Sequence, residues 1–378
     1  MTTSNGFHLT NRLADLDEQE WDALTDGQVT LSYAYLDTLE RTGCVGDGTG
    51  WIPRHAVLRR NQTLVAALPM YVKHHSYGEY VFDWAWANAY RQHGLDYYPK
   101  WLAAVPFTPV PGARLLGRNT ADRRLLLADV VALAARSGLS SLHVLFPDED
   151  EGRWMQEAGL SLRQGVQFHW QNAGYPDFEA FLATLNHDKR KKIRQERRKA
   201  ATHGLRLRWL DGYTASDGDW AFFYRCYTTT YALHRSTPYL TDEFFTELAR
   251  RSPASVRLLL AERDEGPVAG AFFLCDRHAL YGRYWGATSA LPFLHFELCY
   301  YQAIEYCIAH GLARFEGGAQ GEHKLSRGLL PTPTRSAHWI ADPRFRDAVD
   351  RFLEREREGI GFYLDELAER SPFRKSAG

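Results

Sequence analysis

Short apolar blocks set the rhythm of this chain. His55-Ala56-Val57-Leu58-Arg59-Arg60 and Leu64 to Val72 are β-rich runs joined by the polar pair Asn61-Gln62, which predicts a hairpin. Val256 to Glu262 and Val268 to Asp276 repeat that signature, so that LRRNQTLVAALPMYV (58–72) parallels AERDEGPVAGAFFLC (261–275). Leu142 to Phe146, Leu160 to Trp170, Leu205 to Leu210, Ala279 to Trp285, Ala313 to Glu316 and Ser336 to Ile340 read as further strands. Helical spacing covers Asp17 to Leu24, Tyr33 to Arg41 with Ser32 as N-cap, Ala121 to Arg136, Asp150 to Ala158 and Trp220 to Tyr231. It also covers Asp242 to Arg250 with Thr241 as N-cap, Phe293 to Ala309, and Phe345 to Leu367. Phe178, Leu182, Leu185, Ile193 and Ala200 fall on one face of a single long helix that ends at Gly204. Residues 75–118 keep no period and form an irregular insertion punctuated by Pro106, Pro109 and Pro111.

Each half thus runs helices, hairpin, strand, helix, strand. This predicts an α/β (α+β) chain of two similar domains, 1–170 and 171–378, each a mixed central sheet flanked by helices. A hydrophobic fraction of 45% over 378 residues supports a sizeable core, and no run reaches the ~18 apolar residues of a membrane span. The start has no basic segment followed by an apolar one, so no signal peptide is expected. Cysteines 44, 226, 275, 299 and 307 form no CxxC, which points to reduced thiols, a cytoplasmic protein and no zinc site.

The net charge of −1 hides a local excess: residues 186–208 hold ten Lys/Arg against Asp188 and Glu196. Lys189, Arg190, Lys192, Arg194, Arg197 and Arg198 would suit a row of tRNA phosphates or a lipid-linked pyrophosphate, or form a solvated helix face.

The densest chemistry lies in Phe315 to Gly328, where glycines surround Glu316, Gln320, Glu322, His323, Lys324 and Arg327 just past a strand end. His323 has the side chain nearest neutrality and is the expected base, with Glu322 orienting it or acting in its place. The N–H groups of Gly317, Gly318 and Gly321 could meet an oxyanion. Glu316, Gln320 and Arg327 are expected to contact substrate, as are Arg283, Tyr284 and Trp285 from the preceding strand and Glu297 and Tyr301 from the next helix. His295 and Glu297 are two apart and share no helix face, so no metal is expected there. In the insertion, Asp83, Trp84 and Trp86 could line an acceptor channel or form a helical hairpin buried on the sheet.

Six stretches together resemble the FemAB-like proteins of peptidoglycan biosynthesis or recognition, a branch of the GNAT superfamily. They are HSYGEYVFDWAWANAY (75–90), PFTPVPGARLL (106–116), KRKKIRQERR (189–198), LYGRYWG (280–286), LHFELCYYQAIEY (294–306) and EGGAQGEHKLSRGLLP (316–331). The resemblance spans about residues 20–375 and implies two GNAT-like domains. It further implies kinship with transferases that move an amino acid from aminoacyl-tRNA to an amine of a cell-wall precursor. Lys324 matches the lysine of the Fem proteins' corresponding loop, where it implies contact with substrate or donor phosphate.

Acetyl-CoA-dependent GNATs place a glycine-rich pyrophosphate loop where this chain reads YWGATSALPF (284–293), and that loop is missing. The expected activity is therefore amide formation on a small-molecule or peptide amine, with aminoacyl-tRNA as co-substrate and no resident cofactor. The alternatives are an acyl-CoA-dependent N-acyltransferase with an atypical phosphate loop, or a non-catalytic protein that binds cell-wall precursor or RNA. The sequence leaves the oligomeric state open.

Overall fold

The computed structural model describes residues 6–319 and 321–374. Two compact units are present. The first is Met1–Val166 with Pro333–Tyr363, and the second is Gln167–Thr332 with Leu364–Gly378. The division expected at 170/171 thus falls at 166/167, and the chain returns to the first unit near its end. The reason is pairing: residues 336–340 lie antiparallel to Ser141–Leu145, with Ala337 opposite Val144.

In the first unit, Gly6–Thr10, His55–Arg60, Thr63–Leu68 and Leu116–Gly117 form one antiparallel sheet. Asn61 and Gln62 close the hairpin with φ of 48° and 66°. Pro69 has no N–H to give to a ladder, and the chain passes there to the strand Met70–Lys73. That strand pairs with Trp51–Pro53 on one side and Lys100–Ala103 on the other. Lys100–Ala103 in turn runs parallel to Ser141–Leu145. Thr120–Arg136, capped by Asn119, sets Leu126, Leu127, Val130 and Ala134 into the core with Leu58, Leu68 and Met70. The insertion is more regular than expected. It holds the helix Trp84–Gln92, whose Trp86 and Tyr90 pack with Phe345, Val349 and Leu353.

A polar layer crosses this core. Lys100 is fully buried; its ammonium donates to Glu79 at 2.9 Å, to Ser76 at 3.0 Å and to Asp83. Tyr97 donates to Asp83 at 2.6 Å, and its hydroxyl lies 3.0 Å from His143 Nε2. His143 and His338 meet through their Nδ1 atoms at 2.7 Å. Burial lowers His143 to about 3, and His338 is also held far below its ordinary value. Lys73 is equally buried, 3.8 Å over the Trp51 ring, but no carboxylate reaches it within ion-pair distance among the described residues. Desolvation lowers its amine to about 6, against a weaker upward pull from Glu79.

In the second unit, Arg206–Leu210, Val256–Arg263, Gly266–Cys275 and Ala279–Ala287 form an antiparallel run. Ala279–Ala287 then pairs parallel with Arg314–Glu316, which pairs antiparallel with residues 169–171. The expected second hairpin is present, and so is the Thr241 cap of Asp242–Arg251. Phe223, Phe245, Phe272 and Tyr284 pack on one face of this sheet, and Trp209, Phe273, Tyr306 and Phe315 on the other. The single helix expected from Phe178 to Gly204 is two, Phe178–Thr184 and His187–Ala201. Leu185 is extended, and Asn186 caps the second helix by accepting from the Lys189 N–H at 3.0 Å. Across Leu294–Phe296, Glu297–Tyr301 and Gln302–Ala309 the helix contains one wide turn, in which the Gln302 N–H bonds to the Glu297 carbonyl five residues back.

Two outcomes test these packings. A Cβ at Gly286 would stand 2.1 Å from the Cys226 carbonyl oxygen in the helix above. Gly286→Ala is expected to cost about 3 kcal/mol in a urea titration. Lys73 binds its proton from about pH 6 downward when folded but from its ordinary 10.5 when unfolded. Between those values only the unfolded chain carries the proton, so Lys73 makes stability rise with pH. In Lys73→Met, Tm measured from pH 6 to 10 should lose that rise, with the variant gaining most on wild type at pH 6.

Candidate active site

The parallel pairing of Ala279–Ala287 with Arg314–Glu316 lasts three residues: Ala279 with Arg314, Leu280 with Phe315, Tyr281 with Glu316. Beyond it the longer strand continues with a bulge at Arg283, so that Phe272 faces Tyr284 and Phe273 faces Gly282. The shorter strand leaves through Gly317 and Gly318. Gly318 has φ of 85°, and a Cβ at Gly317 would crowd Leu329 at 3.1 Å and Tyr300 at 3.3 Å. A cleft of about 160 Å³ fills the fork. Gly282, Arg283, Tyr284 and Trp285 line one side of it, His295, Cys299 and Tyr300 another, and Gly317 and Gly318 a third.

The short helical turn Glu322–Arg327 closes this region. Lys324 is 2% exposed, and its Nζ donates to the Gly318 carbonyl at 2.8 Å. Burial lowers its amine to about 8. The Tyr300 hydroxyl lies 3.0 Å from His323 Nε2. Burial, then Arg327 and Lys324, hold His323 below its ordinary value. Glu316 is buried, receives Arg314 Nε at 2.8 Å on one oxygen, and has His169 Nε2 3.9 Å from the other. Desolvation raises it to about 7 despite Arg314. His295 is lowered to about 4 by burial, helped by His323 and Arg327.

Behind the turn, Arg327 is 3% exposed. Its Nη2 donates to Glu196 at 2.8 Å, its Nη1 to the His323 carbonyl at 2.7 Å, and the guanidinium lies 3.6 Å from the Phe296 ring centre. Tyr301 donates to the same Glu196. Arg197 binds Glu297 at 3.0 Å and Glu305 at 2.8 Å. On its outer side, a groove of about 480 Å³ is lined by Asn186, Lys189, His323, Ser326 and the ion pair of Glu322 with Arg370 at 3.1 Å.

The expected residues therefore separate. Arg283, Tyr284 and Trp285 line the cleft, and Lys324 and His323 adjoin it. Glu297, Tyr301, Arg327 and Arg197 do not line it: Arg327 and Tyr301 bind the buried Glu196, and the half-buried Arg197 pairs with Glu297 and Glu305. Glu322 is half-exposed at the groove. Gln320 lies outside the described residues. Of the basic row, Arg194 pairs with Glu179, and Lys192 lies 4.0 Å from Glu196. Lys189, Arg190, Lys191 and Arg198 have no ion pair among the described residues. In the first unit, Asp83 and Trp86 are interior members of the Lys100 layer, and only Trp84 is exposed.

Sequence reasoning missed Tyr300, Cys299 and His295 as cleft residues. It read helix faces from a regular period, and the wide turn at Glu297–Tyr301 adds one residue and rotates the remainder of the helix by ~100°. Among the described residues, no group of three or more His, Cys, Asp or Glu could hold a metal ion, and no helix is long and apolar enough to cross a membrane.

Comparison with known proteins agrees with this architecture. No curated protein matches the sequence. FemX is similar in structure at 10% identity and TM-score 0.55, covering 88% of this chain and 98% of its own. L-PGS from Bacillus licheniformis is similar at 10% identity and TM-score 0.55, covering 90% of this chain and 97% of its own. A conserved protein of unknown function from Bacteroides thetaiotaomicron VPI-5482 gives 9% identity and TM-score 0.53, covering 87% of this chain and 98% of its own. At such identities the likeness is one of fold. The profile of the FemAB-like family, described as peptidoglycan biosynthesis/recognition, matches residues 12–375. The chain belongs to the FemAB-like family.

Proposed function

We propose that the fork cleft of the second unit is where an acyl group passes to an amine of a cell-wall precursor, and that the donor is aminoacyl-tRNA. The observation that carries this reading is Lys324. It is a buried ammonium behind Gly317 and Gly318 with one hydrogen-bond acceptor, the Gly318 carbonyl, among the described residues. A positive charge fixed beside a small cleft walled by protein stabilises an oxyanion there more than it would in water. With its amine near 8, Lys324 is mostly charged at neutral pH. His323, held neutral, serves as proton acceptor. Glu322 fastens Arg370 at the groove's rim.

The loop after the cleft strand supports a donor other than acyl-CoA. Pro292 offers no N–H, and Phe293 has φ of 67°, a left-handed backbone with a bulky side chain where a pyrophosphate would need close approach. Lys189, Arg190, Lys191 and Arg198 present charge with no ion pair of their own among the described residues, which suits a phosphate backbone.

The test is transfer of a radiolabelled aminoacyl group from a charged tRNA pool to a lysine-containing cell-wall precursor peptide, with acetyl-CoA as the competing donor. Consumption of acetyl-CoA alone would favour the acyl-CoA reading. Hydrolysis of the ester unchanged by the protein would leave a binding protein. Lys324→Met should lower kcat by ~10²–10³-fold. The wild-type rate should fall as pH rises through about 8, where Lys324 loses its proton, and this limb should vanish in Lys324→Met. Lys191→Ala and Arg198→Ala should each weaken tRNA binding in filter assays and reduce the salt slope by ~1.

A further inference from the structure

Two cavities of opposite character meet at one hydrogen bond. Tyr300 is 4% exposed and lines the fork cleft, and its ring stands against Gly317. His323 lines the polar groove on the other side of the Glu322–Arg327 turn, and its Nε2 lies 3.0 Å from the Tyr300 hydroxyl. This pair therefore links the interior cleft with a solvent-open groove. We propose that the Tyr300–His323 pair is the proton exit of the transfer reaction, with Tyr300 the catalytic residue that receives the amine's proton in the cleft and His323 the residue that passes it to the groove. The inference rests on reading the cleft as the place of amide formation.

The proton count requires such an exit. An acceptor that arrives as R–NH3+ keeps one hydrogen in the amide. Of the two released, one goes to the leaving oxygen of the donor ester and one must reach solvent. As the nitrogen bonds to the acyl carbon, its proton passes to Tyr300 Oη while the phenol's own proton passes to His323 Nε2. The phenol is thereby unchanged, His323 becomes imidazolium, and Nδ1 returns the proton to water in the groove.

Burial keeps the phenol un-ionised, so Tyr300 conducts a proton without giving up its own permanently. The surroundings keep His323 neutral and ready to accept. Burial comes first, and Arg327 and Lys324 on its own turn add to it in disfavouring its charge. Lys189 stands across the groove, as do Glu369 and Arg370, the latter paired with Glu322. Phe296 packs over the imidazole with ring centres 6.1 Å apart.

The experiment measures transfer from charged tRNA to the precursor peptide in H2O and D2O for wild type, Tyr300→Phe, His323→Gln, the double variant and His323→Ala with added imidazole. The expected result is a loss of ~10²-fold in kcat for either single variant, no further loss in the double variant, and recovery of His323→Ala by imidazole. The solvent isotope effect of wild type should disappear in Tyr300→Phe. Melting curves identify any variant that fails to fold, and the isosteric Tyr300→Phe keeps the ring against Gly317. A wild-type rate and isotope effect in Tyr300→Phe would overturn the relay and leave the transfer reaction standing. Losses that are additive and not rescued by imidazole would also overturn it, giving the pair a structural role. Absence of transfer by wild type would overturn both readings.

Discussion

Strand pairing sets the site. Two parallel strands stay in register for three residues and then part after Tyr281 and Glu316. A strand edge left open exposes backbone donors and acceptors that must find other partners. Here the edge faces a cleft, and that cleft results from the separation itself. Glycine at 318 takes the left-handed turn without strain, and glycine at 317 leaves room for Tyr300 and Leu329. The bulge at Arg283 works in the same direction, since it re-aims one strand at the point where its neighbour leaves. The chemistry proposed for Lys324, Tyr300 and His323 depends on the cleft that this geometry opens.

The turn that carries His323 and Lys324 is held from behind by charge. Glu196 accepts from Arg327 and Tyr301, and Arg197, next in sequence, is gripped by Glu297 and Glu305. Glu196 and Arg327 are both buried, and removing one partner of such a pair costs ~3–5 kcal/mol because the other charge is left desolvated. The helix His187–Ala201 thus has two sides with different tasks. Glu196 and Arg197 fix the position of the site, and Lys191 and Arg198 remain available to solvent. A basic helix read only by its charge merges these tasks, which is why Arg197 was expected to bind ligand and instead pairs with Glu297 and Glu305.

Local signals were legible in the sequence where local physics decided the structure. The two hairpins and the Ser32 and Thr241 caps reflect alternation, polar turn pairs and capping chemistry. The glycine-rich cluster stood out because charged groups among glycines fit neither core nor ordinary loop, and the structure places Lys324 and His323 beside the cleft. The break at Leu185-Asn186 was not, because the apolar face stays in phase across it. Tyr300 was hidden by the wide turn, whose extra residue no periodic rule anticipates. The return of residues 333–363 to the first unit is a long-range pairing, and alternation along one strand says nothing about its partner.

The two buried lysines of the first unit show how partners decide what burial does. Lys73 and Lys100 lie on neighbouring strands, directly opposite each other in the ladder, and both are fully excluded from solvent. Lys100 has Glu79 and Asp83 within bonding distance and is held above its ordinary value despite the desolvation. Lys73 has only a carbonyl, an imidazole nitrogen and the Trp51 face among the described residues, and falls to about 6. The same contrast explains Lys324. It is buried with one carbonyl acceptor and no carboxylate among the described residues, so it falls, but only to about 8. An ammonium in that position is neither neutralised by an acid nor fully stripped of its proton. It keeps a positive charge at neutral pH that no neighbouring carboxylate cancels, which is the condition under which a lysine can respond to negative charge developing in the adjoining cleft.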